Sequence, residues 1–413
     1  KDYLRPLTDA EFTTAATVGH NWRVTNSVGN AGGRTNPINV ASSMAVNSLL
    51  IDDQTTRTTA QDHLHIAPGQ TLTISSGMIS FGSFGGSVST ANMESVLRGG
   101  FLDMNGQTAL INSGNHWHDT DNDNVSGNNA YVRTHIVNAD GLVKTGRNSV
   151  YLDTWNQFNA GSQAWVTEDN WLYVRHNNAL QGIEQVNVSG AANFMLERGI
   201  NVRGADLWVL PSDYSDRTVL RSEYLHNTWS GDVILDTLDT TGVSEFRRSI
   251  ITANSDDILT IYGDIYTAKG LAGSQAATTM TDSDTWGDPY RVSTSLGASG
   301  TINLRGRVRD TSTGPLDQVI RSYETIAGLQ YNNNYALSFE MTGHNEMNVN
   351  VYQQWEATGR MELDRGYFRV HYDPTGQTGA TEGFLTDATR GAVTTNSYWC
   401  RLALGQDGSG TGT

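Results

Sequence analysis

Three carboxylates at alternate positions, Asp119, Asp121 and Asp123, stand in the most polar run of the sequence, His116-Trp117-His118-Asp119-Thr120-Asp121-Asn122-Asp123-Asn124. Alternating aspartates are how a calcium loop begins, because a hard cation gathers oxygen ligands and neutralises charges that otherwise repel. The complete helix-loop-helix calcium motif also needs Gly at its sixth position and Glu at its twelfth. Asn124 and Ala130 stand there instead, so that motif is excluded. A looser calcium site on Asp119, Asp121 and Asp123 is the metal expectation, set against the simpler reading of an exposed, solvated turn. His116 and His118 could add nitrogen ligands for a transition metal, but two histidines in a loop carry little weight. No other cofactor is expected.

Hydrolysis of a glycosidic bond needs two carboxylates about 5–10 Å apart. Asp232, Asp236, Asp257 and Asp264 are the nearest candidates, provided that stacking brings equivalent positions together. No pattern ties them to one another, and the sequence contains no Gly-x-Ser-x-Gly, phosphate-binding loop or Cys-x-x-Cys. The expectation is therefore a protein that is not an enzyme. Ten Trp and sixteen Tyr offer another chemistry. Trp117, Trp155, Trp165, Trp171, Trp229, Trp286, Trp355 and Trp399 lie near strand ends or loops, where an indole can stack on a sugar, meet another subunit or fill the core.

The elements that must position these groups are strands. Short runs alternate polar and apolar residues, the signature of a strand with one buried face. They include Leu49-Leu50-Ile51, His63-Leu64-His65-Ile66, Thr71-Leu72-Thr73-Ile74, Ser149-Val150-Tyr151-Leu152, Trp171-Leu172-Tyr173-Val174, Gln185-Val186-Asn187-Val188 and Asn193-Phe194-Met195-Leu196. Further on come Asp206-Leu207-Trp208-Val209-Leu210, Asp257-Ile258-Leu259-Thr260-Ile261, Gly300-Thr301-Ile302-Asn303-Leu304 and Gly359-Arg360-Met361-Glu362-Leu363. Two-residue hairpin turns are sparse between them, which argues against an antiparallel sandwich. Coils of roughly 20–25 residues, stacked in parallel, bury such faces only when neighbours pile up. The fold expected is all-β, a right-handed parallel β-helix (β-solenoid) with irregular ends and loop excursions. Stacked at about 4.8 Å, it would form a rod roughly 80–100 Å long.

Composition narrows the partners. A net charge of −16 repels nucleic acid and anionic membranes. No apolar run approaches the ~18 residues of a membrane helix, so no membrane span is expected. The single Cys400 leaves no internal disulfide, so packing and hydrogen bonds must supply stability. Charged residues, at 17%, give way to Gly, Asn, Ser and Thr, the residues of corners and of extracellular β proteins. The chain starts at Lys1 without an apolar leader core, as a processed secreted form would.

One stretch carries a family signature. Asp140-Gly141-Leu142-Val143-Lys144-Thr145-Gly146, followed by Ser149-Val150-Tyr151-Leu152 and by Asn156 and Asn159, resembles the passenger-associated transport repeat of autotransporter passengers. That repeat reads Gly-Leu-x-Lys-x-Gly, a strand, an Asn-rich corner and a second strand. Ala164-Trp165-Val166, Trp171-Leu172-Tyr173-Val174 and Asn177-Asn178-Ala179-Leu180 stand where its second part falls. The resemblance is good over 45–210 and looser over 230–372, and the family's C-terminal translocator barrel is not in the chain. It implies a right-handed β-helix displayed outside the cell; it does not imply an enzyme. Physically, Gly141 and Gly146 suit positive-φ corners, Leu142, Val150 and Leu152 suit inward stacking, and corner asparagines can ladder between coils.

The expected organisation is an irregular capping or assembly segment over 1–44, a parallel β-helix over 45–372 and an assembly or flexible extension over 373–413. The acidic stretch Thr281 to Pro289 interrupts the strand rhythm and reads as a protruding loop suited to contacts. The function expected is an extracellular structural protein, secreted or on a bacterial cell surface, that binds copies of itself head-to-tail into a fibre, sheath or lattice. An adhesin rod for carbohydrate or host surfaces is the first alternative, and a β-helix polysaccharide lyase or glycoside hydrolase the second. Asn124 and Asn187 sit in Asn-x-Ser patterns that could carry glycans.

Overall fold

Strand alternation becomes parallel pairing almost everywhere. The computed structural model describes residues 12–13, 16–25, 37–52, 61–82, 94–114, 129–168, 171–210, 216–236, 248–254, 256–268, 271, 293–296, 300–309, 324–326, 329–331, 338–341, 348–351, 355–356, 361–363, 367–370 and 402–404. Among these residues there is no helix. They belong to two units: Lys1–Asn187 with Ala192–Phe194 and Val202–Ala205, and Val188–Ala191 with Met195–Asn201 and Asp206–Thr413.

In the first unit, one line of strands runs from Asn21–Thr25 through Ser48–Asp52, Met78–Gly82 and Ala109–Ser113 to Asn129–Thr145, each pairing in parallel with the next. A second line joins Ile38–Val40 and Met44–Val46 to Gln61–Ile74, then to Glu94–Asp103, and then again to Asn129–Thr145. Asn129–Thr145 continues to Val150–Leu152 and Gln157–Val166, and Val150–Leu152 to Trp171–Val174. The register sorts side chains into continuous rows. Leu64, Leu97, Val132, Leu152 and Val174 follow one another on successive rungs, all at 0% exposure. Each such burial contributes roughly 1.5–3 kcal/mol, and the rows are what hold unlike sequences in one register.

The second unit repeats the principle along three lines. Leu207, Val233, Ile265 and Val308 form a buried row on the line from Asp206–Val209 to Val308–Arg309, which then pairs with Trp355–Glu356. Trp229, Ile261 and Leu304 do so on the line His226–Trp229, Ile258–Ile261, Thr301–Leu304, Asn348–Val351, Tyr367–Val370. The third line runs from Asn193–Glu197, whose Met195–Glu197 belong to this unit, through Asp216–Glu223, Arg248–Ala253, Ser293–Leu296, Ser338–Met341 and Met361–Leu363 to Leu402–Leu404. The hairpin Glu324–Ile326 with Leu329–Tyr331 pairs antiparallel.

Two expectations need correction. A uniform coil of 20–25 residues is met where Ala130 lies against Val150 and Val150 against Leu172. Elsewhere the step is longer: Leu97 to Val132, Val233 to Ile265, Ile265 to Val308. Only the stacked strands must match, and closing a longer connection costs little more than closing a short one. Gly141 is not a positive-φ corner either. It lies inside Asn129–Thr145, where a Cβ would come 2.8 Å from the Gln163 carbonyl oxygen. Gly146 does turn the corner, at φ 85°. Asn21–Thr25, Ile38–Val40 and Leu402–Leu404 also pair in parallel.

Candidate functional site

Equivalent corners in the second unit align a column of aspartates. Asp206, Asp232 and Asp264 each precede the inward apolar residue of their strand, Leu207, Val233 and Ile265. The backbone N–H of Asp232 donates to Asp206 Oδ1 and that of Asp264 to Asp232 Oδ1, both at 2.8 Å. On the next rung the N–H of Arg307 donates to Asp264 Oδ1 at 2.6 Å, and the Arg309 guanidinium pairs with Asp264 Oδ2. Tyr266 donates its hydroxyl to Asp232 Oδ2 at 3.0 Å. The glycines before these residues permit the approach: a Cβ on Gly263 would collide with Gly231, and one on Gly306 with Gly263.

Burial pushes the Asp206 carboxyl above its ordinary range; the N–H of Asp232 pulls it down, and the Asp232 charge adds to the rise. Burial likewise raises the Tyr266 phenol, helped by the charge of Asp232 and its hydrogen bond and by Asp206, with Arg309 opposing. The phenol therefore stays a proton donor at physiological pH.

Of the four carboxylates singled out in the sequence, Asp232 and Asp264 are brought together on adjacent rungs. Asp257 lies at another corner, where its two oxygens accept the N–H groups of Tyr224 and Leu225 at 3.0 and 2.9 Å. Tyr224 and Leu225 both have positive φ, 56° and 81°, so that carboxylate holds a backbone that non-glycine residues seldom adopt. Asp236 is fully buried and accepts the Trp208 indole N–H at 3.2 Å. Asp206 was not singled out, although Gly before Asp at Gly231-Asp232 and Gly263-Asp264, with Gly204-Ala205-Asp206 ahead of them, was the available signal.

Aromatic side chains in the first unit stack on one another. Tyr131, Tyr151 and Tyr173 occupy successive rungs with ring centroids 4.2 and 4.1 Å apart and planes tilted by 2° and 15°. The Arg175 guanidinium carbon is 4.1 Å from the middle centroid and 5.6 Å from both outer ones. With ring faces already occupied, it must lie at the rim of the stack. Arg175 and Arg133 both pair with Asp153, at 3.4 and 2.8 Å. A second stack joins His135 to Trp155 at 4.1 Å, with Phe101 edge-on. Trp229 fills the core, whereas Trp165 is 38% exposed.

Corner asparagines depart from a simple ladder. Asn156 is buried, accepts the N–H of Ile136 and donates to the carbonyl of Ala179. Asn227 likewise accepts the N–H of Ile200 and donates to Glu223 O and Ser222 Oγ. An amide carries both donor and acceptor, so it satisfies two unlike backbone groups at a bend. Asn47 and Asn21 do ladder, at 2.7 Å. Asn187 is 1% exposed, with Nδ2 directed to the carbonyl of Ala164 and Gln163 Oε1.

Asp119, Asp121 and Asp123, with His116 and His118, lie outside the described residues, as does Thr281 to Pro289. Among the described residues no group of three or more His, Cys, Asp or Glu could hold a metal ion, and no helix is long and apolar enough to cross a membrane.

The architecture defines an all-β, solenoid-like stack of parallel strands. No family model, no curated protein and no solved structure matches the chain.

Proposed function

We propose that the chain is an extracellular structural protein of a bacterial surface, a right-handed parallel β-helix of the autotransporter-passenger kind that assembles with copies of itself into a fibre, sheath or lattice. The observation that carries this reading is where the chemically capable side chains point. Asp232, Asp257 and Asp264 accept backbone N–H groups of neighbouring rungs, and Tyr131, Tyr151 and Tyr173 turn their faces to one another. Groups held in this way strengthen a stack. The edge strands of a parallel stack present N–H and C=O groups that a second copy can meet, and a head-to-tail contact that does not close gives a filament.

Electron microscopy of the concentrated, purified chain tests the reading. Ordered filaments or sheets support it, and monomers that persist at high concentration overturn it. A carbohydrate-binding adhesin is the second reading, favoured by the outward, exposed indole of Trp165. Binding on a glycan array that is lost in Trp165→Ala, without assembly, would establish that reading instead.

A further inference from the structure

We propose that the outward file of Met78, Leu110, Val143 and Trp165 in the first unit is a track for a neutral, extended polysaccharide lying across the strands. The inference rests on the carbohydrate reading of Trp165 and deepens it by naming the rest of the site and the class of sugar.

Register carries the argument. Met78 pairs with Leu110, Leu110 with Val143 and Val143 with Trp165, while the residues that follow them, Ile79, Ile111, Lys144 and Val166, are all at 0% exposure. Alternation therefore turns the four apolar side chains outward, where the first three are half-buried and the indole is 38% exposed. One edge of the file is lined by Ser80, Asn112 and Thr145 on the same rungs. Along the other edge Gly141 pairs with Gln163, and a Cβ on Gly141 would lie 3.6 Å from Thr108. The missing side chain leaves a notch between two exposed polar ones, Thr108 and Gln163. Asn187 donates to Gln163 Oε1 at 3.4 Å and accepts Gln185 Nε2 at 2.6 Å. With its oxygen engaged, Gln163 offers its NH2 two residues from the indole on the same face.

The chemistry selects the occupant. An apolar strip rimmed by hydroxyls and amides matches a sugar chain, whose C–H faces stack on an indole and whose hydroxyls exchange hydrogen bonds with amides. The rung repeat of about 4.8 Å is close to the length of one ring in an extended, equatorially linked chain, so successive rings meet successive rungs. Among the described residues of the patch no outward position is charged, Asp140 and Glu168 standing beyond its ends. The net charge of −16 repels acidic polysaccharides. A second copy is too large an occupant. Four side chains over three rung steps, about 14 Å, fall far short of the ~800 Å² that each partner of a stable protein interface contributes.

Isothermal titration of the full chain with oligosaccharides tests the track. Cellohexaose and mannohexaose should bind, their disaccharides about tenfold more weakly because they reach only two rungs, and hexagalacturonic acid not at all. Trp165→Ala and Val143→Glu, each with an unchanged circular dichroism spectrum, should weaken hexaose binding by about tenfold. Tyr262→Ala, which removes an exposed ring outside the patch, should bind as the parent chain does. Absence of binding to both hexaoses, or binding to hexagalacturonic acid that matches them, overturns the proposal. Binding that is lost in Trp165→Ala but indifferent to Val143→Glu and to sugar length overturns the track and keeps the carbohydrate reading. Variants that bind sugar like the parent and change only its sedimentation assign the file to a second copy, which also overturns it.

Discussion

The ammonium of Lys144 donates a 2.7 Å hydrogen bond to the carbonyl oxygen of Gly146, two residues further along the same chain. Lys144 is fully buried and continues the inward row Trp22, Leu49, Ile79, Ile111, with Val166 after it. Its methylene stem fills an apolar position while its tip reaches the bend. The N–H of Gly146 donates to Glu168 Oε2 at 2.6 Å, so one glycine is clasped from both sides.

Lys144→Met keeps the stem and removes the donor, and should cost about 1–3 kcal/mol. Gly146→Ala should cost more, since φ is 85° and a Cβ would run into Ser113 and Asn112. Urea titration of the two variants checks the order.

Leu97→Ala opens a cavity in the row between Leu64 and Val132 and should cost about 2–5 kcal/mol. A loss confined to a few tenths of a kcal/mol would mean that the row is not packed as described.

Asp257→Ala releases the N–H groups of Tyr224 and Leu225 at an exposed corner. Chymotrypsin should then cut after Tyr224 or Leu225 faster than in the parent chain, and Asp257→Asn should be intermediate. Timed digestion followed by mass spectrometry reads the difference.

Asp206→Asn should raise the melting temperature at neutral pH. Folding raises this carboxyl from 3.8, so the native state binds the proton more tightly than the unfolded chain, and ionisation above that range costs stability. Below the unfolded pKa the advantage should vanish. Melting curves across pH show whether the gain has this sign.

Asn187 should carry no glycan in chain folded and secreted from a glycosylating host, because its amide is buried and bonded. Peptide mass spectrometry settles occupancy.

Strand positions were largely legible. Trp171–Val174 was bounded to the residue, and Leu49-Leu50-Ile51 and Thr301–Leu304 were found, because alternation is a local property. The length of Asn129–Thr145 was not, since its polar positions His135, Asn138 and Asp140 hide continuity that the neighbouring strands enforce. Lys144 was read as part of a motif, and its inward burial was invisible: nothing local tells a lysine on the polar face from one whose tip finds a carbonyl two residues on.

By itself the amino-acid sequence determined an all-β chain with strands at readable positions and glycine at its bends, because side-chain alternation and φ preference act within a few residues. The tertiary structure alone decided which residues share a rung, and hence that Asp206, Asp232 and Asp264 form one column and Tyr131, Tyr151 and Tyr173 one stack. The physical reason is register. Steps between rungs vary with connections whose lengths cost little, so only the matching of buried rows fixes which distant residues meet.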